Sequence, residues 1–274
     1  MDAKPTGPAE ILKWQAEMGA DEAISTTPMD WFALAQIRRQ MPAAANQERP
    51  AAAKARPAAP QQPRPDFVPV AQDEAVLDAR KRAASAASLG KLEELLRGFD
   101  GCALKATARS TCFKRGSDDA RIMLIGEAPG RDEDIQGQPF VGRAGQLLDR
   151  MLASIGLDES RVYITNIVYW RPPGNRTPTT QEVEACKPFL MRQIELLDPT
   201  IIVLIGGPAS QHLLDTTEGI TRMRGKWREA QLGGKTRPAM PTLHPAYLLR
   251  SPAAKRMAWQ DLLTIERRIK ELGL

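Results

Sequence analysis

Residues 121–152 read RIMLIGEAPGRDEDIQGQPFVGRAGQLLDRML. The short apolar run at its head, RIMLIG (121–126), predicts a strand buried on both faces. A loop follows, with glycines at 130, 137 and 142 and acids at 127, 132, 133 and 134. The segment AGQLLDRMLASIG (144–156) then returns to apolar residues at helical spacing and closes on a glycine. The unit is strand, acidic glycine-bearing loop, helix.

The same alternation continues on both sides. A helix is expected over roughly 76–98, ending in LGKLEELLRGF. VYITNIVYW (162–170) reads as a strand and TQEVEACKPFLMRQIELL (180–197) as a helix. TIIVLIG (200–206) is a β-branched strand, and PASQHLLD opens another helix. A strand near 238–243 and a helix near 252–271 complete the series. Strands alternating with helices imply an α/β fold, a three-layer α/β/α sandwich around a mostly parallel sheet. Ligands of such sheets bind at the carboxyl ends of the strands. The loop after RIMLI, the loop after VYITNIVYW and the segment around His244 should therefore meet at one edge.

Ahead of this domain, assigned to 76–274, the chain has another character. Residues 1–41 read as a helical hairpin: Ile11, Leu12, Trp14 and Met18 recur at near-helical spacing, and Pro28 starts a second helix through Trp31, Phe32, Leu34 and Ile37. Residues 42–75 are Ala, Pro and Gln with scattered charge, a composition too poor in large apolar groups to fold, so they read as a disordered linker. The hairpin either docks on the core or serves as an arm for a protein partner.

The chain has 274 residues and a net charge of +5, a mild bias toward an anionic partner. No run of eighteen apolar residues exists to span a membrane, and MDAKPTGPAE lacks a signal pattern. Cys102, Cys112 and Cys186 show no paired spacing and fit a reducing, cytoplasmic setting. GEAPGRDED contains neither GK[ST] nor GxGxxG, so it is neither a P-loop nor a dinucleotide turn. Its acids suit water activation or stabilisation of a cation better than phosphate binding.

Three stretches, GEAPGRDEDIQGQPFVGRAGQLLDRML, TNIVYWRPPGNRTPT and HPAYLLR, resemble, in order and spacing, three motifs of the family 4 uracil-DNA glycosylases. The resemblance covers roughly 92–270. It implies a four-stranded, mostly parallel sheet and hydrolysis of the bond between uracil and deoxyribose in DNA. DNA containing uracil is then the partner, and the chain is expected to act as a monomer.

The resemblance also implies roles. The target base must leave the stack and enter a closed pocket. Gly126, Ala128, Phe140 and Asn166 would bind it. Phe140 supplies a stacking face and Asn166 reads O4 and N3–H, which cytosine presents with donor and acceptor exchanged. Outside the motif match, Phe140 reads rather as core, and Asn166 equally as a strand-end turn. His244 would hydrogen-bond the charge developing at uracil O2, whereas His212 has no such context. Glu127 would position water and oppose the sugar cation, with Glu133 a second acid candidate. Asp132 and Asp134 read as solvated loop charges. Arg171, Asn175 and Arg176 on the RPPGNR loop would grip phosphates, with Arg250 and Lys255 nearby. Leu248 would wedge into the gap left by the base.

One departure concerns a cofactor. The family's pattern holds a [4Fe–4S] cluster through four cysteines. Cys102 and Cys186 stand at two of those positions, but Phe99 and Trp170 occupy the other two, and Cys112 matches none. No cluster is expected, with packing by two aromatics in its place. Two other classes compete with the enzyme: a non-catalytic DNA-binding relative that recognises uracil or abasic sites, and an unrelated nucleotide-binding α/β protein.

Overall fold

The computed structural model describes residues 72–274. The expected hairpin over 1–41 and all but the last four residues of the expected linker lie outside them. Those four residues, 72–75, are not linker: α1 spans Gln72–Ser85. Asp73 and Glu74 sit in its first turn, where acids favour the positive end of the helix dipole. Ala75, Ala79 and Ala83 lie at four-residue spacing and are buried. The single helix expected over 76–98 is two. α2 (Leu89–Arg97) restarts after a break, with the Ser88 side chain accepting from the Lys91 N–H at 3.2 Å.

In chain order there follow β1 (Arg115–Gly116), β2 (Ile122–Gly126), α3 (Arg131–Gln136), α4 (Arg143–Ala153), β3 (Val162–Asn166), α5 (Thr180–Leu197) and β4 (Ile201–Ile205). Then come α6 (Gly207–Leu214), α7 (Ile220–Met223), β5 (Arg228–Leu232), β6 (Lys235–Thr242), α8 (Pro245–Arg250) and α9 (Lys255–Leu272). The sheet has six strands rather than four, ordered β1-β3-β2-β4-β6-β5. The inner four are parallel, and each edge adds an antiparallel strand. β1 has only two residues. β5, REAQL, is too polar to read as buried. It joins β6 through Gly233–Gly234, both at positive φ, a turn suited to a tight hairpin.

Alternate residues of each inner strand serve opposite faces. Met123, Ile125, Tyr163, Ile202 and Leu204 pack with Leu92, Leu96, Phe189 and Leu213 of α2, α5 and α6. Ile122, Leu124, Ile164 and Val203 pack with Leu148 and Leu152 of α4 and Leu262 and Ile265 of α9. This is the expected three-layer arrangement. β3 ends at Asn166, four residues before the expected end, because its partner β2 leaves the sheet at Gly126. Among the described residues no helix is long and apolar enough to cross a membrane.

Candidate active site

The carboxyl ends of the four parallel strands carry Gly126–Glu127, Asn166, Gly206 and, two residues beyond β6, His244. They open onto one cavity of about 470 Å³. Of the residues singled out from sequence, Glu127, Ala128, Glu133, Phe140, Asn166, Asn175, Arg176, His244 and Arg250 line it. Thr177, Gly206 and Tyr247 line it too and were missed. Gly206 closes the strand TIIVLIG, so the strand-end rule could have reached it; Tyr247 sits inside HPAYLLR.

Two glycines make the close approaches possible. A Cβ on Gly126 would overlap Asn166 Oδ1 and the Phe140 ring, so the strand end must be bare. Gly206, at φ 95°, would place a Cβ 3.2 Å from His244 Cβ. Phe140 itself has φ 56°, a strained conformation for a bulky residue. Its ring stacks on His244 with centroids 5.7 Å apart.

Asn166 is 1% exposed, and its Oδ1 has no hydrogen-bond partner among the described residues. His244 Nδ1 accepts from the Ala246 N–H at 3.1 Å. Burial, with Arg250 nearby, pushes the His244 pKa down to about 4. The neutral ring therefore carries its proton on Nε2 and has that donor to offer. Burial raises the Glu127 carboxyl above its ordinary range, and the nearby Thr177 side chain works against that rise.

Four expectations change. Glu133 is buried and fully engaged: it accepts from the N–H groups of Gly130 at 3.1 Å, Val141 at 3.0 Å and Gly142 at 2.9 Å. It ties down the loop that presents Phe140, and both of its oxygens already accept backbone N–H groups. Asp134 is not solvated; its Oδ1 accepts from Arg109 N–H at 2.7 Å and Ser110 N–H at 3.1 Å. Arg176 is held by Glu182 through contacts of 2.6 and 2.8 Å, which braces the RPPGNR loop against the start of α5 rather than freeing a cation for phosphate. Leu248 is 1% exposed, packed with Leu243, Ala254 and Ala258, so it cannot enter a base stack; Tyr247 beside it is 39% exposed. Arg171 donates to Asn175 Oδ1 at 2.7 Å on the exposed loop. Asp132 and Lys255 are exposed.

Phe99, Cys102, Trp170 and Cys186 are all buried in the core cluster on one face of the sheet. The two sulfurs lie 3.8 Å apart. Phe99 packs on Phe189 at 5.2 Å and over Gly101, where a Cβ would strike its ring. Trp170 Nε1–H donates to Thr111 Oγ1 at 3.0 Å. Two thiols and two aromatic rings do not make the donor set of a four-thiolate cluster. No group of three His, Cys, Asp or Glu side chains among the described residues is arranged to hold a metal. Cys112 is apart from this cluster; its thiol, pushed up to about 12 chiefly by burial, donates to the Glu133 carbonyl.

Parallel strand ends, a buried amide oxygen without a partner, the Phe140 ring and a neutral histidine donor thus line one cavity. The family model described as the uracil DNA glycosylase superfamily matches residues 113–263, and the chain belongs to that superfamily. Within it the similarity is to the type-4 branch. The type-4 uracil-DNA glycosylase of Archaeoglobus fulgidus is 44% identical over 168 residues, 60% of this chain and 84% of that protein. That of Thermotoga maritima is 40% identical over 188 residues, 66% of this chain and 95% of its own length.

Proposed function

We infer that this chain is a uracil-DNA glycosylase, which takes uracil out of the DNA stack and hydrolyses its bond to deoxyribose, leaving an abasic site for repair. The observation that carries the reading is Asn166. A buried acceptor without a partner costs about 1–3 kcal/mol, a cost that a ligand donor relieves. Uracil N3–H supplies that donor, and uracil O4 accepts from the same amide. Cytosine has an unprotonated N3 and an amino group in place of O4, so both contacts become mismatches.

The chemistry follows from the remaining groups. As the C1′–N1 bond breaks, its electron pair moves onto the base, and negative charge builds at O2. The His244 Nε2–H stabilises it without giving up a proton, since the neutral ring is a poor acid. Glu127, ionised, faces the sugar cation and orients the water whose oxygen bonds to C1′; the water's proton neutralises the released base. Phe140 stacks on the ring. Asn175 and Arg250 at the mouth meet the backbone, while Arg171 and Arg176 brace the loop. Tyr247, exposed and beside the cavity, takes the wedge role first expected of Leu248.

No iron–sulfur cluster enters this scheme. The packing of Phe99 and Trp170 supports a core closed by aromatic contacts instead. Release of free uracil from a uracil-containing oligonucleotide tests the function directly. Tight binding without release would leave a non-catalytic reader of uracil.

A further inference from the structure

A second cavity, of about 450 Å³, lies between α4 and α9. Its floor is Leu147, Met151, Leu248 and Leu262, and Trp259 stands at its side, 44% exposed. Arg150, Lys255 and Arg256 are its charged lining, all exposed, and no carboxylate lines it. Among the described residues none of the three is ion-paired, although most other cations around the fold have a carboxylate within 4 Å.

Two elements connect this groove to the uracil pocket. Ala144 at the start of α4 lines the pocket, while Leu147, Arg150 and Met151, one to two turns along, line the groove. On α8, Ala246 and Tyr247 line the pocket and Leu248 the groove. At 5.4 Å per turn the two cavities are neighbours.

We propose that this groove binds the DNA strand beside the flipped uracil, with Trp259 stacking on a neighbouring base and Arg150, Lys255 and Arg256 holding its phosphates. The inference rests on the glycosylase reading for its ligand. An apolar floor takes the faces of a base and sugar, and an indole stacks on any base. The cations match a polyanion. With few polar groups to read base edges, the groove is indifferent to sequence, as an enzyme that must find uracil in any context requires.

The test titrates the full-length protein with a uracil-free oligodeoxyadenylate of about fifteen nucleotides and follows affinity against salt. Trp259→Ala should weaken binding about tenfold, with Trp259→Phe retaining most of it. Arg256→Ala should weaken binding and flatten the slope of log affinity against log salt by about 0.7. Both variants should keep the wild-type single-turnover rate on saturating uracil-containing single strand, because neither residue touches the pocket. Unchanged affinity and salt slope in both variants would overturn the proposal. So would self-association that Trp259→Ala abolishes, or Trp259 emission that responds to polyglutamate and not to DNA; a second copy or an acidic peptide would then own the groove. If wild-type protein releases no uracil, the glycosylase reading fails, while the oligodeoxyadenylate titration still decides the groove.

Discussion

The Ala246 N–H donates to Nδ1 of His244 at 3.1 Å, and that bond fixes the proton of the neutral ring on Nε2. In the proposed reaction this donor meets the oxyanion developing at uracil O2. His244→Ala should lower the single-turnover rate about 10²–10³-fold, the usual loss for an oxyanion donor. A wild-type rate would remove His244 from the chemistry.

The same site sets the pH dependence. The proposed mechanism needs Glu127 ionised, and burial raises its pKa, so activity should fall as pH drops through a midpoint above the ordinary carboxylate range. His244 stays neutral down to about 4 and does not set that limb. Thr177→Val removes a hydroxyl that favours ionised Glu127, so the acid limb of kcat/KM should move to higher pH; Thr177→Ser should restore it. Stability carries a separate signature. The folded His244 pKa is depressed below the unfolded value of about 6.5, so its contribution is present above 6.5 and is lost as pH falls from there toward 4. Urea melts of wild type and His244→Ala across that window check the sign.

Asn166→Asp keeps the shape of the amide but replaces its donor by a carboxylate oxygen. Uracil O4 then faces an acceptor, or the buried carboxyl must be protonated to donate. Excision of uracil should drop at neutral pH by well over tenfold, read as single-turnover release. A rate equal to wild type would detach Asn166 from base recognition.

Glu133→Ala leaves three backbone N–H groups without their acceptor around the loop that carries Phe140. Hydrogen bonds to a charged group are worth about 1.5–3 kcal/mol each when lost, so the variant should unfold at clearly lower urea. Glu133→Gln can still accept from Val141 and Gly142 through one oxygen, but turns an NH₂ toward the Gly130 N–H. It should fall between the two in stability and keep measurable excision. Loss of all activity in a fully stable Glu133→Gln would return this residue to the list of acids.

Much of this was legible in the chain. RIMLI and TIIVLI are continuous apolar runs, which only a doubly covered strand needs, and they placed the parallel sheet and its active edge. Asn166, Phe140 and His244 stood in motifs whose order mirrors the strand ends. The edge strands were not legible, because β1 is two residues long and β5, REAQL, is mostly polar and lacks a strand's apolar run. Nor were the partners of Glu133 and Arg176, which are a loop backbone and a helix-capping acid brought in by folding. Tyr247 and Leu248 are adjacent, so a helix turns them about 100° apart. Which one faces DNA depends on how α8 docks, and the sequence does not carry that phase.

The last expectation concerns Phe99 and Trp170. Both are essentially without exposure, in one cluster with two thiols 3.8 Å apart. If their packing replaces a cluster, purified protein should be colourless, with no absorbance near 400 nm, and chelators should leave its urea melt unchanged. Phe99→Cys with Trp170→Cys would supply four thiols within one buried core cluster. It also deletes two large buried side chains, each worth about 3–5 kcal/mol when truncated in a core. Because the two lie in one cluster, their losses need not add. The double variant expressed without added iron should therefore be far less stable than wild type. Anaerobic reconstitution with iron and sulfide should recover stability and produce colour only in that variant. Stoichiometric iron and sulfide in the wild-type protein would show that the aromatic pair does not stand in for the cluster.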